Sequence, residues 1–147
     1  MRIAVLILSA IMAVGPATSR QASEAKNSAG LLDSETRTFL ARFQNAIRSD
    51  DRQAVSKMVR YSTDVNAAGR CKAIGGTAAF IRYFDEVFTP ELRALILAQR
   101  PEDLIIRSSG VGLSGGAVWF AGICSDGACR NYDIRVTTIN GTSRCRK

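Results

Sequence analysis

Few residues of this chain can do chemistry, because its 147 residues include no histidine. Nucleophilic triads of the Ser-His-Asp and Cys-His kind need an imidazole as the base. Acid–base work therefore falls to carboxylates, tyrosine or lysine. Asp64 and Asp85 are the candidate bases and Tyr61 and Tyr83 the candidate donors. Trp119 is a candidate wall for a ligand pocket. An Asp base and a Tyr donor in an apolar pocket can move a proton beside a carbonyl. Each candidate also has a structural reading. Asp85 follows Arg82 by three residues, the spacing of an ion pair on a helix face. Asp64 stands in "DVN" and suits a turn. The tyrosines suit the edge of a core, apolar ring inward and hydroxyl outward. Trp119 suits packing between sheet and helices.

The four cysteines, Cys71, Cys124, Cys129 and Cys145, invite three chemistries. A zinc site wants closely spaced ligand pairs, and a thioredoxin-like site wants C-x-x-C. The sequence has neither, so no metal and no cofactor is expected. "GICSDGACR" places Asp-Gly between two strand-like flanks, which signals a turn. Opposed residues of antiparallel strands lie ~4.5–5.5 Å apart, within disulfide reach. Cys124–Cys129 is the expected bridge, leaving Cys71–Cys145. An even set of bridged cysteines suits an exported chain. "GVGLSGG" lacks the lysine of a phosphate-binding loop and has no helix after it, so it reads as a β-turn.

The elements that must position these residues follow from periodicity. Asp33 or Ser34 caps a first helix carrying Phe39, Leu40, Phe43, Ala46 and Ile47 on one face. "SDD" at 49–51 ends it and starts a second, with Val55, Met58 and Val59 inward. Residues 61–76 read as a short strand and a loop. Thr77 caps a third helix, "AAFIRYFDEVF", and Thr89-Pro90 starts a fourth, "ELRALILAQ". Strands follow: "EDLIIRSSG", "VGLSGGAVWFAGIC" and "RNYDIRVTTIN". In the last, Tyr132, Ile134, Val136 and Thr138 alternate against Asp133, Arg135 and Thr137. Helices first and strands after predict an α+β domain with helices on one face of an antiparallel sheet.

The N-terminus has its own logic. Arg2 precedes twelve apolar residues, Ile3 to Val14, and "ATS" follows Gly15-Pro16. This is the layout of a secretory signal, and it is too short to span a bilayer. The expected division is 1–19 signal peptide, 20–32 flexible lead-in and 33–147 one domain. Membrane contact would then be transient, through the signal, and the destination periplasmic or secreted. Without residues 1–19 the chain has 19 Lys+Arg against 13 Asp+Glu, a net +6. The cations are scattered, without the stripe and interleaved aromatics of a nucleic-acid surface. No nucleic-acid partner is expected.

"FLARFQNAIRSDDRQAVSKMVRY", "GTAAFIRYFDEVFTPELRALILAQRPEDLIIRSSGVGLSGGAVWFAGIC" and "IRVTTIN" together resemble a group of small exported bacterial proteins of the NTF2-like, cystatin-like α+β superfamily. The resemblance spans roughly residues 35–140. It departs at Tyr61-Ser62, where the family pattern has Tyr-Pro. It implies a curved antiparallel sheet wrapped around a helix, a cone with a pocket. The group has no agreed activity, so it implies no reaction. The leading expectation is a non-catalytic exported binding module for a small ligand or an envelope protein. The alternatives are a small carboxylate–tyrosine enzyme and an inhibitor or immunity-type partner of a secreted protein. A cavity that held Asp64 or Asp85 beside a tyrosine hydroxyl would favour the enzyme, and carboxylates facing solvent would remove its basis.

Overall fold

Six phenylalanines, all the chain has, lie at 2% exposure or less and set the architecture. The computed structural model describes residues 24–67 and 69–141, which leaves the expected signal peptide and Cys145 outside the described residues. The first helix, α1 (Asp33–Arg48), buries Phe39, Leu40, Phe43, Ala46 and Ile47, the face its spacing predicts. Its start differs from expectation. Asp33 and Ser34 lie inside the helix, and the Glu35 carboxylate accepts from the Leu32 N–H at 2.9 Å. Glu24 accepts from the Ser34 N–H at 2.8 Å. Residues 24–32, expected as flexible lead-in, form a turn on Asn27, and Leu31 is 1% exposed in the core.

Asp51 caps α2 (Arg52–Lys57) through a 2.9 Å bond from the Ala54 N–H. Residues 61–76, expected as one strand and a loop, form a hairpin of β1 (Thr63–Ala67) and β2 (Arg70–Ile74). The Tyr61–Ser62 peptide is cis. The single helix expected from "AAFIRYFDEVF" is broken at Tyr83 into α3 (Thr77–Arg82) and α4 (Phe84–Val87). Phe80, Phe84 and Phe88 are all buried across this break. Thr77 is the first helical residue after Gly76 and makes no side-chain cap. Thr89 does cap α5 (Pro90–Ala98), accepting from the Leu92 N–H, with Pro90 in the first turn.

The remaining strands are β3 (Ile105–Arg107), β4 (Gly110–Leu113), β5 (Val118–Cys124) and β6 (Tyr132–Ile139). They form one sheet in the order β2-β1-β6-β5-β4-β3. The expected antiparallel sheet is corrected here: it is mixed, because β1 runs parallel to β6. The chain leaves α2 alongside β6, with Val59 bridging Val136, and keeps that direction to Val65 opposite Ile139. The clean alternation expected along β6 also breaks. Phe120 pairs with Val136 but Trp119 pairs with Thr138, so Thr137 is an extra residue. That bulge shifts the phase and turns Ile139, rather than Thr138, into the core.

The core lies between the helices and one sheet face. The Phe120 ring packs tilted against that of Phe39 with centroids 4.6 Å apart, while Phe80, Phe84 and Phe88 make mutual ring contacts at 5.0–6.0 Å. Val111, Leu113, Val118 and Val136 complete the floor, each with no exposed surface.

Candidate functional site

The two candidate carboxylates face solvent. Asp64 is exposed on β1, next to the edge strand of the sheet. Asp85 keeps 66% of its side chain exposed and accepts from Arg52 at 2.9 Å and Arg93 at 2.9 Å. The expected pairing with Arg82 is thereby replaced, because the break at Tyr83 separates the two helical faces. Asp50 joins the same network, and Arg93 beside it holds its carboxyl below the usual aspartate range. Both guanidiniums lie over the Phe84 ring, at 5.1 and 5.2 Å from its centroid. This is a clasp across α2, α4 and α5 with both signs balanced.

Among the described residues neither tyrosine hydroxyl is hydrogen-bonded to Asp64 or Asp85. The Tyr83 ring sits under the Lys72 ammonium, 3.5 Å from the centroid. Tyr61 donates to the Ser56 carbonyl at 3.0 Å and packs edge-on to Phe80. Burial raises its phenol pKa against a smaller opposing bond from Thr77. Trp119 lies on the sheet face opposite the helices, since its neighbours Val118 and Phe120 point into the core. Its ring covers Gly112, where an added Cβ would meet it at 3.0 Å, and its Nε1 donates to the Gly116 carbonyl at 2.9 Å. Packing between sheet and helices, the expected role, is thus corrected to a cover on the outer face. Among the described residues no His, Cys, Asp or Glu cluster is placed to hold a metal ion.

The cysteines are scaffold. Cys124 and Cys129 are bonded, with Cα atoms 4.8 Å apart. The bridge closes the turn rather than a ladder pair, because Cys124 stands opposite Tyr132. Asp126 organises that turn, accepting from the N–H groups of Ala128, Arg130 and Asn131. These bonds hold its carboxyl below the ordinary aspartate pKa. Cys71 is disulfide-bonded, and Cys145, its expected partner, lies outside the described residues.

What the structure does assemble is a groove along β6. A cleft of about 600 Å³ runs between α2, Tyr61 and Asp133–Arg135. It shares Arg42, Asp133 and Ile134 with a second cleft that follows α1 past Phe39 to Tyr132. A third continues from Tyr132 and Glu35 to Lys26 and Arg130 near the disulfide turn. Tyr61 is the one tyrosine of the predicted pair that lines the groove. In its floor Tyr132 donates to Glu35 at 2.6 Å, a bond that raises the phenol pKa.

The wall of this groove is an open strand edge. Backbone groups of a strand alternate between its two sides. Val136 turns its N–H and C=O toward Met58 and Arg60, away from β5. By the same alternation, Tyr132 and Ile134 present their backbone groups on that side. There α2 has replaced the neighbouring strand, and among the described residues no backbone partner meets them. No family model, no curated protein and no solved structure matches the chain.

Sequence reasoning missed Arg42, Lys57 and Ile134 as groove residues. The period-two pattern of 132–136 marked the strand. Nothing local marked that its far edge would be left unpaired.

Proposed function

We propose that this protein is an exported interaction module of the NTF2-like type that binds through the β6 groove rather than through a cone pocket. The supporting observation is the exchange of one space for another. Six buried phenylalanines fill the interior between helices and sheet, while an open groove of about 600 Å³ lies along β6 outside it. The α+β arrangement, with helices packed on one face of a six-stranded mixed sheet, is the coarse frame on which this reading rests. The carboxylate–tyrosine alternative loses its basis because Asp64 and Asp85 face solvent.

Export is supported by the Cys124–Cys129 bridge and by the signal-like residues 1–19. No helix among the described residues is long and apolar enough to cross a membrane. The test is site-specific photo-crosslinking in the native host. A photoreactive residue at Thr38, in the groove, is compared with one at Arg107, on the far edge strand β3. Adducts from Thr38 and not from Arg107 support the reading. Absence of adducts at Thr38, or equal yield at both, refutes it. N-terminal sequencing of the exported protein should begin at Arg20, and a retained Met1 refutes processing.

A further inference from the structure

Resting on that reading of the groove, we propose that its occupant is an acidic peptide segment that adds to the β6 edge as an extra strand. Two independent features converge on this ligand. One is the backbone. The N–H and C=O of Tyr132 and of Ile134 point into the groove with nothing to pair with among the described residues. Such a row of donors and acceptors is a template for an extended chain. The protein already uses the adjacent position this way, since Met58 and Arg60 bond the two backbone groups of Val136. The C-terminal end of α2 closes the edge beyond Ile134. Arg135 donates to the Lys57 carbonyl there, so the open run, residues 132–134, takes about three extended residues, on the order of 10 Å.

The other feature is charge. The three connected clefts are lined by Lys26, Arg42, Lys57, Arg130 and Arg135, against only Glu35 and Asp133. Both carboxylates are already engaged, Glu35 by Tyr132 and the Leu32 N–H, and Asp133 by Arg135. Arg42, Lys57 and Arg130 have no acidic partner among the described residues. A strand with carboxylates at alternate positions would hold its backbone on the edge and present its charges to these cations. Between the cations the half-buried Ile134 and Tyr61 offer apolar contact for the intervening side chains.

The probe is a fluorescein-labelled peptide of about six alternating Glu and Val residues, followed by anisotropy and by amide NMR on the disulfide-intact mature protein. Three comparisons carry the test. A Lys–Val peptide of equal length should bind at least about tenfold more weakly. The Glu–Val peptide N-methylated on alternate amides keeps its charge but cannot pair, and should also lose at least about tenfold. The double variant Arg42→Glu/Lys57→Glu should lose about tenfold or more, while Arg70→Glu/Arg107→Glu, with the same change in net charge, should change affinity less than about twofold.

Peptide binding should slow hydrogen exchange at the Ile134 amide. Ile134→Pro removes that donor while β5 pairing through Asp133 and Arg135 persists, and should abolish binding. If that variant does not fold, exchange at Ile134 in the wild type decides the same point. No binding at millimolar peptide, equal affinity for the Lys–Val peptide, or undiminished binding of the N-methylated peptide overturns the proposal. Cross-links from Thr38 without peptide binding would leave the groove as the interaction site and remove the acidic strand as its occupant.

Discussion

Replacing Phe120 by alanine tests whether the space where a cone pocket would lie is filled. Phe120 has no exposed surface. On β5 it stands in register with Val111 on one side and Val136 on the other. Its ring lies 4.6 Å from that of Phe39, so it joins the sheet to α1. Removing a buried phenylalanine costs about 3–5 kcal/mol, because the lost transfer energy is joined by the cavity left behind. The ring contact with Phe39 is part of that figure. A domain of this size has on the order of 10 kcal/mol of stability, so Phe120→Ala should still fold. With a urea slope of about 2 kcal/mol/M, its unfolding midpoint should fall by about 2 M. The new cavity is lined by apolar groups. Benzene should therefore raise the melting temperature of Phe120→Ala and leave the wild type unchanged. A loss below about 1 kcal/mol would refute the reasoning, since the ring would then not be filling the interior. Benzene binding to the wild type would refute it independently, by revealing an existing pocket.

Three further outcomes are expected. Gly110 has φ +137°, and an added Cβ would lie 2.6 Å from the Phe120 carbonyl oxygen, so Gly110→Ala should cost more than about 2 kcal/mol in urea denaturation, and a neutral result would contradict this backbone geometry. Cys124→Ser/Cys129→Ser should lower stability by about 2 kcal/mol, the chain-entropy value for so small a loop, and an unchanged midpoint would show that Asp126 alone holds the turn. Asp126 has a folded pKa below the ordinary 3.8, so its carboxylate's contribution is present above that value and is lost as pH falls through the lower folded one. Amide shifts of Ala128, Arg130 and Asn131 should accordingly titrate together with a midpoint below 3.8, and a midpoint at or above 3.8 would count against the bonds described.

The groove and the chemistry candidates differ in how they were legible. Asp64, Asp85, Tyr61 and Tyr83 stand out by residue type alone. Residue type does not report which side chains meet. Asp85 found Arg52 and Arg93, distant in the chain, because the clasp depends on how α2, α4 and α5 pack. The groove residues carry no motif. Arg42 and Lys57 read as ordinary solvated cations until they are seen to line the clefts along residues 132–135 of β6.

The sequence by itself determined what depends on near neighbours. The helical spacing of Phe39, Leu40, Phe43, Ala46 and Ile47, by one, three and four residues, made α1 and chose its buried face. Thr89-Pro90 started α5, and Asp-Gly with flanking cysteines made a closed turn. These features rest on periodicity, capping and turn chemistry, all acting within a few residues. Only the tertiary structure decided the parallel entry of β1 beside β6, the bulge at Thr137 and the break at Tyr83. Each depends on how segments distant in the chain pack together. The open β6 edge belongs with them. A strand's pattern tells which side chains face the core, but a neighbour for its backbone must come from elsewhere in the chain, and here α2 occupies that place.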